Sequence, residues 1–275
     1  MAPHLIASTA FRGGELRPHG AERWADAAAH GACQTSINKV SRTPKKGRAP
    51  SEKPRQIECR RHSLRLARMR RAVAIGAAEH QDALPDGFRF VPMLVTFTYA
   101  KVDAWEPNHI RECLNHLREF LAEHKAGPLR CQWVAELQER GAVHYHAIIW
   151  WPSRLFMPNP DDAGWWPHGS SNVKRARHAV AYLAKYASKG TPEGEQFPKG
   201  LRLHGCRGLP VSPRRRRAWL LRPKWLRVLT TPDMHLDRAP GGGWVDVETG
   251  EFFLSPWIIV SHAADWSSFT LAPRP

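Results

Sequence analysis

No stretch of this chain is apolar for long enough to cross a bilayer. Runs such as Ala147 to Trp151 stop far short of the roughly 20 residues that a spanning helix needs. The N-terminus lacks the charged start, apolar core and small-residue cleavage site of a secretory leader, so no membrane partner is expected and the expected location is the cytoplasm, that of a bacterial host. Cysteine is sparse. Cys33, Cys59, Cys113, Cys131 and Cys206 are scattered and odd in number, and none forms a C-x-x-C pair, which argues against a disulfide scaffold or a structural zinc. No G-x-x-x-x-G-K-[ST] segment occurs, so a nucleotide-driven motor is not encoded and no small-molecule cofactor is expected. Carboxylates are few beside the cations, 25 Asp and Glu against 41 Lys and Arg, for a net charge of +16. That excess favours a polyanionic partner, because neutralising phosphates releases counterions. Tyrosine is scarcest of all, at four.

A chain of 275 residues can bury a sizeable core. Residues 1–57, rich in Ala, Gly, Pro and charge, read as a largely disordered basic arm with a short helix near Ala21–His30. Residues 58–85 read as a basic helix, its periodic pattern running from Ile57 to Glu79 with Leu64, Leu66, Ala67 and Val73 among arginines. Residues 86–231 read as the compact domain and 232–275 as a C-terminal hairpin and tail. Within the domain, Phe90–Tyr99 alternates as a strand, with Val95, Phe97 and Tyr99 on one face and Thr96 and Thr98 on the other. Glu106 to His124 is an amphipathic helix. Leu129–Glu139 and Val143–Trp151 form a hairpin through a three-residue loop, Arg140–Ala142. A loop over Pro152–Ser171 leads to a helix from an Asn172 N-cap to Lys189, stopped by Gly190. Further on, Arg214 to Leu221 reads as a basic helix, Trp225–Thr231 as a strand and Trp244–Leu254 as a hairpin. The tail from Ser261 reads as loose.

Two groups of residues can carry chemistry. His144 and His146, two apart on a strand, project side by side. With a three-residue loop, Glu136 pairs opposite His146 and joins the histidine face, which makes a His, His, carboxylate set for a divalent cation. A two-residue turn would put Glu136 on the other face. On the later helix Tyr182, Lys185, Tyr186 and Lys189 fall on one stripe, with Val180, Leu183, Ala184 and Ala187 opposite it. A phenol is a poor nucleophile at neutral pH, with a free pKa near 10; neighbouring ammonium groups favour the phenolate. A bound metal polarises a phosphate. Packing tyrosines with snorkelling lysines are the plainer alternative.

Taken in order, Leu94-Val-Thr-Phe-Thr-Tyr99, Glu136-Leu-Gln-Glu-Arg-Gly-Ala-Val-His144-Tyr-His146 and Tyr182-Leu-Ala-Lys185-Tyr186-Ala-Ser-Lys189 resemble the three motifs of the HUH endonucleases. The closer likeness is to the two-tyrosine rolling-circle replication initiators of the phage gene A type. The resemblance covers about residues 90–190. It implies an α+β fold of ferredoxin or RNA-recognition type, with a central antiparallel sheet and flanking helices, to which a basic N-terminal arm and an irregular C-terminal extension are added. It implies Mg²⁺ or Mn²⁺ at His144 and His146 with Glu136 as third ligand, Tyr182 and Tyr186 as nucleophiles, and Lys185 and Lys189 as charge support.

The resulting expectation is a nickase and strand transferase that starts rolling-circle replication through a 5′-phosphotyrosine link. Its partners would be single-stranded or melted origin DNA and a host helicase and polymerase. Arg60, Arg61, Arg65, Arg68, Lys174, Arg175, Arg177, Arg214, Arg215, Arg216 and Arg217 are the expected phosphate contacts. Trp165 and Trp166 are candidates for base stacking, with core packing as the alternative. A two-tyrosine transposase or relaxase, a non-catalytic origin-binding protein and a basic RNA-binding protein are the competing readings.

Overall fold

The computed structural model describes residues 56–85, 89–188, 197–240 and 242–275. The readings made for residues 1–55, for Lys189 and for the Gly190 stop fall outside them.

Strand β1 (Ile57–Arg60) leads directly into helix α1 (Arg61–Asp82). Next come β2 (Phe90–Tyr99), α2 (His109–Glu123), β3 (Cys131–Leu137), β4 (Val143–Pro152), β5 (Gly169–Arg175) and α3 (Ala179–Ser188). Then follow β6 (His204–Arg207), α4 (Val211–Leu220), α5 (Lys224–Leu229), β7 (Leu236–Ala239), β8 (Gly243–Asp246), β9 (Phe252–Phe253), β10 (Trp257–His262) and β11 (Ser268–Pro273). The central sheet has five strands in the order β5-β2-β4-β3-β6, each neighbouring pair antiparallel. This is the mixed α and β architecture, with an antiparallel sheet and helices, that the sequence predicts.

Alternation along β2 decides which face is which. Val95, Phe97 and Tyr99 are buried, together with Tyr145 and Ala147 of β4, under the apolar side of α2: Ile110, Cys113, Leu114, Leu117 and Leu121. Trp105 Nε1 donates to the Tyr145 hydroxyl at 2.7 Å and Tyr99 shares a 3.2 Å hydrogen bond with His109. Trp166 is fully buried in this core and donates Nε1 to the Thr98 carbonyl at 3.2 Å, so it is not available to stack bases. Trp165 is half-buried against the same core, edge-on to Phe120.

The opposite face is covered by α1 and α3. The first turns of α1 are largely exposed and basic, whereas Ala72 to His80 is buried. Gly76 permits the close approach of helix to sheet. A Cβ there would lie 2.0 Å from Gln132 Oε1 and 3.1 Å from Arg217 Nε. Glu79, 1% exposed, is held by Arg216 Nε at 2.7 Å, which anchors α4 to α1. Arg216→Ala leaves that carboxylate buried without its charge partner. We expect a loss of about 3 kcal/mol in urea unfolding, as for other broken buried pairs.

His80 stacks on Trp150 at 4.5 Å between ring centroids and is fully buried. Burial, then the Arg130 guanidinium, pulls its pKa down to about 3. Burial, then Arg217 and Arg202, pulls His204 down to about 4. In the unfolded chain both titrate near 6.5 and therefore take up protons first as pH falls. Stability is thus unaffected by them above about pH 7. It is lost as pH drops from 6.5 toward 4 and 3, by about 1 kcal/mol per pH unit for each histidine. Urea midpoints at pH 7 and pH 5 test this, and His204→Asn should flatten the acid limb.

Several boundaries differ from expectation. The basic helix begins at Arg61, not in the Ile57 region, because Ile57–Arg60 pairs antiparallel with Ser268–Leu271 of β11. The tail is accordingly not loose: β10 and β11 pair and complete a three-stranded sheet with β1. Trp225–Thr231 is not a strand but largely the short helix α5, with Leu226 buried and the Thr230 hydroxyl donating to its carbonyl at 2.7 Å. Asn172 is not a helix cap. It lies in β5, paired with Thr96, and the tyrosine helix starts only at Ala179. The Arg214–Leu221 helix and the 244–254 hairpin are present as α4 and as β8 with β9.

Candidate active site

The hairpin that presents the histidines has a wider connection than expected. Leu137 pairs with Val143, Glu136 with His144 and Val134 with His146, so residues 138–142 form the connection. Glu136 is therefore not opposite His146, as a three-residue loop would have it, but two residues out of that register. An even shift preserves parity, and Glu136 remains on the histidine face. The turn is closed by Gln138 and Ala142 and by Gly141, whose φ of +83° favours glycine. Arg140 pins it, donating to Gln138 Oε1 at 2.9 Å and to the Tyr99 carbonyl at 2.5 Å.

Paired residues on neighbouring strands share a face. Ser170, Thr98, His144 and Glu136 thus form one row across four strands, and Asn172, Thr96 and His146 form part of the next. This concentration of polar groups in the middle of a sheet is the most unusual feature of the fold. His146 and Glu136 meet within it, with Nε2 to Oε2 at 2.7 Å and side chains only 6% and 10% exposed. The other His146 ring nitrogen lies 3.3 Å from the Thr96 hydroxyl. His144 stands beside them, its ring centroid 5.8 Å from that of His146. The sequence reading does not single out Thr96, Thr98, Ser170 or Asn172 as site residues. The available signal is the alternation of β2, which puts both threonines opposite the core, but β5 itself reads as loop and cap.

Helix α3 closes over these rows. Ala179, Leu183 and Ala187 are buried against the sheet. The Tyr186 ring lies flat on His146, with centroids 3.6 Å apart and planes 8° from parallel. Tyr182, one turn earlier, is 38% exposed, and Lys185 is exposed on the same side. The expected stripe is therefore split: Tyr186 is half-buried at the histidines, whereas Tyr182 and Lys185 face solvent. The other two tyrosines belong to the core. Burial pushes both phenols up, Tyr145 to about 12 and Tyr99 further, which makes them harder to ionise.

Two imidazoles and a carboxylate on one face suit a divalent cation by donor chemistry. As they stand, Glu136 closes directly on His146, and among the described residues no three His, Cys, Asp or Glu groups converge at ligand spacing. The fit is thus one of donor type and shared face.

The expected phosphate contacts are dispersed. Lys174, Arg175 and Arg177 are exposed at the β5 edge, and Lys174, paired with Leu94, shares the histidine face. Arg60 is exposed at the end of β1, and Arg61, Arg65 and Arg68 are exposed on α1. Arg214 is exposed, and exposed Arg215 lies 3.6 Å from Asp233. Arg216 is committed to Glu79 and Asp82, and Arg217 reaches inward toward Gly76. Those two are thereby set apart from the solvent-facing cations.

Residues 92–191 match a family of replication-associated proteins, the ORF2 type. The matched span contains both polar rows, Glu136 and the two tyrosines of α3. No curated protein and no solved structure matches the chain. Among the described residues no helix is long and apolar enough to cross a membrane.

Proposed function

We propose that this chain initiates rolling-circle replication by nicking one DNA strand and holding its 5′ end on tyrosine. The observation that carries the reading is the stack of Tyr186 on His146, itself bonded to Glu136. A candidate nucleophile from a late helix and a candidate ligand pair from an earlier hairpin meet on one sheet face. The family match over this span supports a role in replication.

The phenol oxygen of Tyr186 attacks the scissile phosphorus, the bond from phosphorus to the 3′ oxygen breaks, and the phenolic proton leaves to solvent. The departing 3′ oxygen takes up a proton and becomes the primer hydroxyl. The phosphoester is conserved, so no nucleotide input is required, and the exposed Tyr182 receives the second transfer. A divalent ion, Mg²⁺ or Mn²⁺, held by Glu136, His144 and His146 would supply polarisation of the phosphate oxygen. Thr96 orients His146 from its other nitrogen, as such ligands require. Lys185 and Lys174 lie where they favour the anionic strand, and the sequence spacing assigns Lys189 the same role. A host helicase and polymerase would open the duplex and extend the primer.

The test is incubation of the protein with labelled single-stranded origin oligonucleotide and Mn²⁺. A denaturant-resistant adduct mapping by mass spectrometry to Tyr186 on the first turnover supports the scheme. Clean binding with no adduct would favour a non-catalytic origin-binding protein. Strand transfer to a new site without circular single-stranded product would favour a transposase or relaxase.

A further inference from the structure

A second, wholly different surface lies at the β6 edge of the central sheet. A groove of about 1210 Å³ runs there between α1 and α2. Eight arginines line it, and no Asp or Glu does. Arg61, Arg65 and Arg68 come from α1 and Arg111 from α2. Arg202 and Arg207 flank and end β6, and Arg217 and Arg238 close the far side. Among the described residues none of the eight has a carboxylate partner. Several are instead held in place by neutral groups. Arg65 donates to the Leu201 carbonyl at 2.9 Å and Arg207 to Asn115 Oδ1 at 3.0 Å. Arg61 lies over the Trp266 ring and Arg238 over that of Trp244. Guanidiniums fixed without counter-charge form a preorganised anion track. Their field is felt by His204 in the groove, which Arg217 and Arg202 help to keep neutral.

We propose that this groove holds the phosphate backbone of double-helical DNA beside the single-stranded segment at the tyrosines. The identity of the polyanion rests on the reading under Proposed function; the groove itself does not. Duplex is favoured over single strand by what the groove lacks. Its aromatic lining residues Trp133 and Tyr145 are 4% and 1% exposed, so they present no face on which unpaired bases can stack. Contacts confined to backbone position a duplex without reading its sequence. The β6 edge is two strands from β4, about 10 Å, which keeps duplex and nicking face in reach of one continuous substrate.

Arg111 and Arg202 are exposed and far from the histidine face in the fold, so they suit the test. Binding is measured without divalent ion, in a Tyr182→Phe/Tyr186→Phe background, to a labelled duplex and a single strand of the same arbitrary sequence. In Arg111→Gln/Arg202→Gln the duplex salt slope should become shallower by about 1.8, for two lost phosphate contacts, with single-strand affinity unchanged. Arg111→Lys/Arg202→Lys should restore the slope. An unchanged duplex slope would overturn the proposal, and an equal loss for both nucleic acids would overturn the duplex assignment. Neither result depends on whether the tyrosines form an adduct.

Discussion

Tyr182→Phe/Tyr186→Phe is expected to abolish the covalent protein–DNA adduct, by on the order of 10³-fold or more, with DNA affinity retained. The substitution removes two oxygens and little else. The Tyr186 ring packs on His146 at 3.6 Å, and phenylalanine preserves that stack. Tyr182 is 38% exposed, so its loss costs the fold little. No other phenol can stand in, since Tyr99 and Tyr145 are 0% and 1% exposed and burial resists their ionisation. The single variants separate the two steps. Tyr186→Phe should block the first turnover, and Tyr182→Phe should form an adduct but stall the second transfer. Gel separation after denaturation reads all three. Undiminished adduct in the double variant would remove both residues from the chemistry.

His146→Ala should be comparably damaging for a different reason. The imidazole engages Glu136, Thr96 and Tyr186 at once. Its removal takes away a candidate ligand, strands a carboxylate that is only 10% exposed, and leaves the phenol without its platform. Cleavage per folded molecule should fall by several kcal/mol in the barrier, on the order of 10³-fold, and the remainder should no longer respond to Mn²⁺ or EDTA. Unfolding in urea, measured alongside, separates the catalytic loss from the expected destabilisation of about 2 kcal/mol. A variant that still cuts at full rate, with EDTA making no difference, would contradict the ligand assignment.

Much of the site is readable along the chain because its parts are local. The alternation of Val95, Phe97 and Tyr99 with Thr96 and Thr98 places a core face and a polar face without knowledge of any partner. The same holds for the His-x-His spacing and for the repeat of Ile110, Leu114, Leu117 and Leu121 on α2. Glu136 reaches the histidine face for a weaker reason. The expected register is wrong by two residues, and only because the error is even does the side chain stay on the correct side.

The failures share a cause as well. Strand β5 has polar, weakly patterned residues and becomes a strand because the free edge of β2 supplies its hydrogen bonds. Strand β1 is the start of a basic helix until residues some two hundred positions away pair with it. The six residues of α5 are too few for periodicity to separate helix from strand, and burial of Leu226 against Leu236 and Phe253 decides the matter. Arg216 and Arg217 look like two more cations in a run of four. Their inward direction depends on how α4 sits on α1.

Residue order alone thus determined the excess of positive charge, the paired histidines and the paired phenols, since each is a matter of composition or short spacing. That Tyr186 rather than Tyr182 lies against a histidine was decided by tertiary packing, as were the convergence of Ser170, Thr98, His144 and Glu136 in one row and the gathering of eight arginines at one sheet edge. Such facts depend on strand order and helix docking. Those in turn are set by burial and hydrogen bonds between segments far apart in the chain, which no local pattern records.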